Sequence, residues 1–315
     1  MNKKGLMICN IGTPDHHDPK SVGSYLREFL MDEEIITLPY LARFILVNIG
    51  IVPRRKYKSA ANYKKIWTEM GSPLMVYSEQ LKNKLQQDLG EDTVVEIGMR
   101  YGRPSIALAL KKFHDQGIRE VTILPLYPQY ARASTESTFK KVDEVIRLQK
   151  YNFNLKKIIS FYNAADFIRS STEVAEKFLT DKKVDHYLMT YHGLPESQDQ
   201  KMAPENTYRQ QCIRTSELIA AQMGLDRSRW SFSFQSRVGL NQWIKPYTDY
   251  VLKDLAQAGV KNLAVLCPSF VSDCLETIDE IGAEGAEIFK QAGGGNFYLV
   301  PCLNERSDYL VSLLK

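Results

Sequence analysis

One pattern occurs twice in this chain, and it constrains the fold more than any other stretch. FHDQGIREVTIL (113–124) and LAQAGVKNLAVL (255–266) are offset by 142 residues. Each reads as a helix end, a glycine that closes it, and an apolar run of strand length. Such a unit belongs to alternating β and α elements, and the alternation continues on both sides of each copy. Strands are expected at 5–11, 94–99, 121–126 and 157–161, then at 187–190, 230–234, 261–266 and 296–301. Helical periodicity fills the intervals, and strand–helix–strand repetition builds parallel sheets. The expected fold is α/β: two Rossmann-like, doubly wound domains, 1–162 and 163–315, each with a four-stranded parallel sheet. The active cleft is expected between them, with the terminal helix packing back on the first half.

The 315 residues suffice for two such domains. Lysine and arginine number 41 against 37 acidic residues, and no basic run forms a nucleic-acid footprint, so nucleic acid is set aside as a partner. The five cysteines, Cys9, Cys212, Cys267, Cys274 and Cys302, are never spaced CxxC. That argues for a reducing compartment and against a zinc ribbon. MNKKGLMICNIGTPD is broken too early to be a signal peptide. The expected location is the cytoplasm.

Residues 35–52, IITLPYLARFILVNIGIV, form the most apolar segment, and RRKYK (54–58) follows. Pro39, Arg43 and Asn48 interrupt it, which argues against a membrane span. Two readings stay open. One is a buried core helix; the other is an exposed apolar lip with a basic collar, resting at the inner face of the cell membrane or receiving an apolar substrate.

Chemistry is concentrated in the second half. CPSFVSDCLETIDEIGAE (267–284) follows the strand at 261–266, and it places Asp273, Glu276, Glu280 and Glu284 three to four residues apart. On a helix these carboxylates share one face. They read either as a solvated surface or, at the carboxyl end of a parallel strand, as a path for a divalent cation or for protons. His192 ends the strand at 187–190 and precedes Gly193-Leu194-Pro195, a sharp turn that presents the imidazole at the sheet edge. Its neutral ring can bind a metal or accept a proton. His192 and Glu276 lie at strand ends of the same half, an open N/O pair suited to a transient metal.

NIGTP (10–14), IWTEMGSPL (66–74), GMRYGRPSI (98–106), LPLYPQYARAST (124–135), TYHGLPE (190–196), FQSRVG (234–239), CPSFVSDCLETIDEI (267–281) and VPCLNE (300–305) together resemble the ferrochelatase family. The resemblance spans nearly the whole chain. It implies the chelatase fold and a lyase of haem biosynthesis that inserts ferrous iron into protoporphyrin IX, with loss of two pyrrole protons. It implies His192 and Glu276 as catalytic residues and metal ligands, with Asp273, Glu280 and Glu284 as the path behind them. Ile11, Arg100, Tyr101 and Tyr130 are assigned to the porphyrin site, and Arg54 or Arg55, by charge and position, to a substrate propionate. Ile11 stands where the coproporphyrin-using branch carries tyrosine, which favours protoporphyrin. Cys274 stands where animal relatives carry histidine. No cofactor beyond the substrate Fe2+ and no iron–sulfur cluster is expected. The alternatives are a coproporphyrin III ferrochelatase, a cobalt chelatase of corrin synthesis, and a non-catalytic tetrapyrrole or metal carrier.

Overall fold

The computed structural model describes residues 3–199, 206–237 and 242–314. Val238 and Gly239 of FQSRVG, and part of the polar loop after Glu196, lie outside the described residues. The chain forms two compact units. One runs to Leu126 and resumes over Arg132–Ile159; the other comprises Tyr127–Ala131 and everything from Ser160.

In the first unit β1 (Lys4–Asn10), β2 (Thr93–Met99), β3 (Glu120–Pro125) and β4 (Asn154–Lys157) form a parallel sheet of order β2-β1-β3-β4. Around it lie α1 (Pro19–Leu30), α2 (Tyr40–Ile45), α3 (Val52–Ile66), α4 (Pro73–Leu89), α5 (Ile106–Asp115) and α6 (Ser137–Gln149). The core joins Met7 and Cys9 of β1 to Leu110 and Phe113 of α5, Ile123 of β3 and Val142 of α6. In the second unit β5 (His186–His192), β6 (Trp230–Gln235), β7 (Asn262–Leu266) and β8 (Asn296–Leu299) run parallel in the order β6-β5-β7-β8. Its helices are α7 (Ala165–Leu179), α8 (Tyr208–Gln222), α9 (Thr248–Gln257), α10 (Ala286–Gln291) and α11 (Asp308–Leu314), with α11 packed on α7. Leu252, Leu263, Val265, Ile281 and Phe289 form its core.

The duplicated pattern has one structural meaning in both units. After α5, the Gly117 N–H bonds the His114 carbonyl at 2.9 Å and the Ile118 N–H bonds that of Phe113 at 3.0 Å. After α9, Gly259 bonds Ala256 at 3.1 Å and Val260 bonds Leu255 at 3.0 Å. Both glycines lie in the left-handed region, at φ 70° and 93°. The two helices therefore end in the same glycine-closed cap, which turns the chain into a buried strand.

Two expectations change. The fourth strand lies at Asn154–Lys157 and not at 157–161. Its partner β3 ends at Pro125, which has no N–H to offer a further rung. The row after β7 is not an ordinary α-helix: Glu276–Gly285 is π-helical and passes into α10. The wider turn still keeps every fourth residue near one face.

The apolar segment is not a buried core helix. Residues 40–66 are continuously helical, with a π-helical stretch at Leu46–Ile51. Tyr40, Leu41 and Ile49 are 66%, 69% and 67% exposed, while Val47 points inward. Arg43 inverts the usual pattern: it is only 8% exposed and donates through Nη1 to the carbonyls of Ile36 and Leu38 at 3.1 and 3.0 Å. Nη1 thereby satisfies two main-chain carbonyls inside, and the apolar side chains take the surface. Among the described residues, no helix is long and apolar enough to cross a membrane.

Candidate active site

His192 is the last residue of β5, a central strand, paired in register with Gln235 at the end of β6. Its position is determined from several directions. The backbone N–H donates to Ser269 Oγ at 3.3 Å, and the carbonyl accepts the Tyr208 hydroxyl at 2.8 Å. The Gly193 N–H donates to the Gln235 carbonyl at 2.8 Å, and Ile244 N–H to the Leu194 carbonyl at 3.0 Å. A Cβ on residue 193 would lie 2.8 Å from the Gln235 carbonyl oxygen and 3.2 Å from the Trp243 ring, so only glycine permits this approach. The imidazole Nδ1 lies 2.7 Å from the Gly193 carbonyl. A carbonyl only accepts, so Nδ1 carries the proton and the neutral ring presents a lone pair at Nε2.

The acidic row begins in the loop after β7, beside β5 in the same sheet. Its members differ sharply. Asp273 is buried, and both its oxygens are engaged: Oδ1 accepts Thr277 Oγ1 at 3.1 Å, while Oδ2 accepts Asn304 Nδ2 at 2.9 Å and Cys302 N–H at 3.3 Å. Asn304 in return accepts the Asp273 N–H at 2.8 Å and sits at φ 52°, a conformation asparagine tolerates. Asp273 thus clasps the VPCLNE segment and does not belong to an open path, contrary to the sequence expectation. Glu276 and Glu280 are half-buried and Glu284 is exposed, so the remaining row grades outward to solvent. Ser236 Oγ donates to Glu280. The Cys274 thiol is pushed well up, first by burial and then by the neighbouring Glu276 carboxylate, so it stays a protonated thiol. All five cysteines are free and buried.

The first unit has its own carboxyl edge. The N–H groups of Arg100 and Tyr101 bond the carbonyls of Asn10 and Ile11 at 2.8 and 3.0 Å, which ties GMRYG to NIGTP. Thr13 Oγ1 donates to Ser72 Oγ at 2.8 Å and ties NIGTP to MGSPL. Ile11 is half-buried there, whereas Arg54 and Arg55 are exposed on α3. Tyr101 is buried there, and Tyr130, which belongs to the second unit, is buried as well. The Tyr101 hydroxyl donates to Asp32 Oδ2 at 2.7 Å. Arg100 pairs with the same oxygen through Nη2 and donates from Nε to Ser137 Oγ at 2.6 Å, and Ser137 also donates to Asp32. Burial alone would raise the Asp32 carboxyl; Ser137, Arg100, the Glu34 N–H and Tyr101 outweigh it and hold it below its ordinary value. Glu34, buried and paired with Arg132 and Lys140, is lowered in the same way against the opposing pull of burial. No sequence motif pointed to Asp32, Ser137, Tyr208, Ser269 or Asn304. Each acts through a contact distant in sequence, although Asn304 and Ser269 lie inside quoted motifs. Among the described residues, no group of three or more His, Cys, Asp or Glu side chains is arranged to hold a metal.

The solved structure of SirB from Bacillus subtilis with Fe3+ superposes with a TM-score of 0.56 at 11% identity, covering 99% of this chain and 93% of that one. A second SirB structure, in complex with cobalt, gives 0.54 at 10% identity, covering 99% and 92%. Two parallel four-stranded sheets of this order therefore define a protein of the chelatase fold. In sequence, the family model described as Ferrochelatase matches residues 3–315. The chain is 43% identical to the ferrochelatase of Bdellovibrio bacteriovorus, covering 98% of this chain and 97% of that one. It is 40% identical to that of Legionella pneumophila strain Paris, covering 99% and 97%, and 39% identical to that of Coxiella burnetii strain CbuK_Q154, covering 100% and 93%. The chain belongs to the ferrochelatase family, lyases that insert a metal into a porphyrin.

Replacing Asp32 by Asn leaves the Arg100 charge buried without its partner, and at neutral pH we expect a loss of about 3 kcal/mol in urea unfolding. Because the native Asp32 carboxyl is held low, its contribution is fully present above the unfolded value of about 3.9 and is lost as pH falls through the lower folded value. The gap between wild type and variant should therefore close below about pH 4. A gap that is constant through this range would contradict the account.

Proposed function

We propose that this enzyme inserts ferrous iron into protoporphyrin IX, with His192 and Glu276 as the residues that meet the reacting atoms. The observation that carries the proposal is the hydrogen bond from His192 Nδ1 to the Gly193 carbonyl at 2.7 Å, which leaves Nε2 as an acceptor. In each turnover one ferrous ion enters the ring and two pyrrole protons leave. His192 Nε2 accepts a proton from a pyrrole N–H, and the pyrrole nitrogen is left with a lone pair for the metal. Glu276 supplies negative charge to ferrous ion as its water is shed, and Glu280 and Glu284 continue that charge toward solvent. Their graded exposure suits entry of a cation or exit of protons. Arg54 and Arg55 are the proposed partners of the two propionates. The half-buried apolar Ile11 favours a ring whose remaining edge carries vinyl groups over one with two further propionates.

The exposed lip extends this reading to a membrane surface. Apolar side chains of 38–49 stand beside Arg54, Arg55, Lys56 and Lys58, a combination suited to the headgroup region of anionic lipid.

Anaerobic insertion of ferrous iron, followed by the visible absorption of the ring, tests the reaction with protoporphyrin IX and coproporphyrin III side by side. We expect faster turnover of protoporphyrin. We also expect His192→Ala to lose roughly 10²–10⁴-fold in kcat while still binding the porphyrin. Preference for coproporphyrin, or an active His192→Ala enzyme, would refute the corresponding part. For the lip, wild-type protein should float with vesicles containing phosphatidylserine, and a Phe44→Asp, Ile45→Asp double variant should not. Equal flotation of the two, or none by either, would remove that role.

A further inference from the structure

We propose that Ser236 is a positioning residue for the metal-handling step, aiming its hydroxyl at Glu280 and so fixing that carboxylate in the row that begins at Glu276. This rests on the reading above and deepens it. Ser236 immediately follows β6 and has φ 67°, in the left-handed region that residues with a Cβ disfavour. Such conformations persist when surrounding contacts over-determine them, and they cluster at functional sites. Here the preceding residue is locked: Gln235 pairs with His192 in the sheet, and its carbonyl accepts the Gly193 N–H. Two consecutive residues at the end of β6 therefore face two parts of the site, Gln235 holding the histidine turn and Ser236 holding the acidic row.

The chemistry of the donor also fits. A hydroxyl orients a carboxylate without cancelling its charge, so Glu280 can still attract a cation; a lysine or arginine in its place would neutralise it. The next residue is a cation, but Arg237 Nη2 is committed to Asp249 Oδ2 at 2.6 Å, and its guanidinium lies 4.4 Å from the Tyr247 ring centroid. Glu280 is half-buried on the π-helical stretch, where an unguided glutamate has three side-chain torsions to fix. The Ser236 contact restricts that freedom before iron arrives.

Three replacements separate the hydroxyl from the backbone conformation. Ser236→Gly keeps the left-handed turn and removes the donor; Ser236→Ala keeps the unfavourable Cβ and removes the donor; Ser236→Asn tolerates the turn and retains a donor. We expect Ser236→Gly to unfold at higher urea than Ser236→Ala. Both should nevertheless raise the KM for ferrous ion roughly tenfold, as loss of one hydrogen bond to a charged group implies, with the KM for porphyrin unchanged. Ser236→Asn should recover most of the iron KM. Glu280→Gln, measured in parallel, should raise the iron KM at least as much. If Glu280→Gln does so and Ser236→Gly keeps the wild-type value, the positioning role is wrong and the acidic row stands. If Glu280→Gln itself leaves the iron KM unchanged, the row has no part in handling metal, and the proposal falls with it.

Discussion

The hydrogen bond from His192 Nδ1 to the carbonyl of the next residue governs the second unit. It decides which nitrogen of the ring is available, and it exists only because the chain turns at Gly193 against the Gln235 carbonyl. The turn in turn needs β6 beside β5, and β5 is central because β7 pairs on its other side. Parallel order then delivers the end of β7, and the acidic row after it, to the same edge. A single local contact therefore draws on the whole sheet, and the fold is what makes an ordinary histidine a directed acceptor.

The first unit solves a different problem, that of holding charge inside. Asp32 Oδ2 receives Arg100, Tyr101 and Ser137, and Glu34 receives Arg132 and Lys140. Buried carboxylates are tolerated there because each is met by several donors. Arg43 is met by main-chain carbonyls instead, and its inward turn leaves an apolar surface on the opposite side of the same helix. The buried cation and the exposed lip are two aspects of one packing choice.

The parallel strands and the duplicated glycine caps could be read from sequence because they depend on local pattern: apolar runs of strand length, and glycine at a left-handed position. The ends of β5 and β7 could be placed on one edge because strand ends are a topological property. What escaped depends on partners far apart in sequence. Nothing local distinguishes Asp273, closed by Asn304, from Glu280, which faces Ser236. The RY pair carries no sign that Tyr101 is buried with its hydroxyl on Asp32, a residue distant in the chain. Composition left residues 35–52 open between a core helix and an exposed lip; the inward direction of Arg43 accompanies the second. The fourth strand was misplaced because Ile158 and Ile159 look more strand-like than Asn154–Lys157, while pairing is limited by Pro125.

The ring nitrogens of His192 provide the most direct test. In protein labelled with 15N at histidine and recorded at mildly alkaline pH, where histidine is neutral, the account predicts a protonated Nδ1 and an unprotonated, pyridine-type Nε2 for His192. Replacement by Ala identifies the signal. The opposite tautomer, with the proton on Nε2, would remove the acceptor on which the proposed chemistry depends.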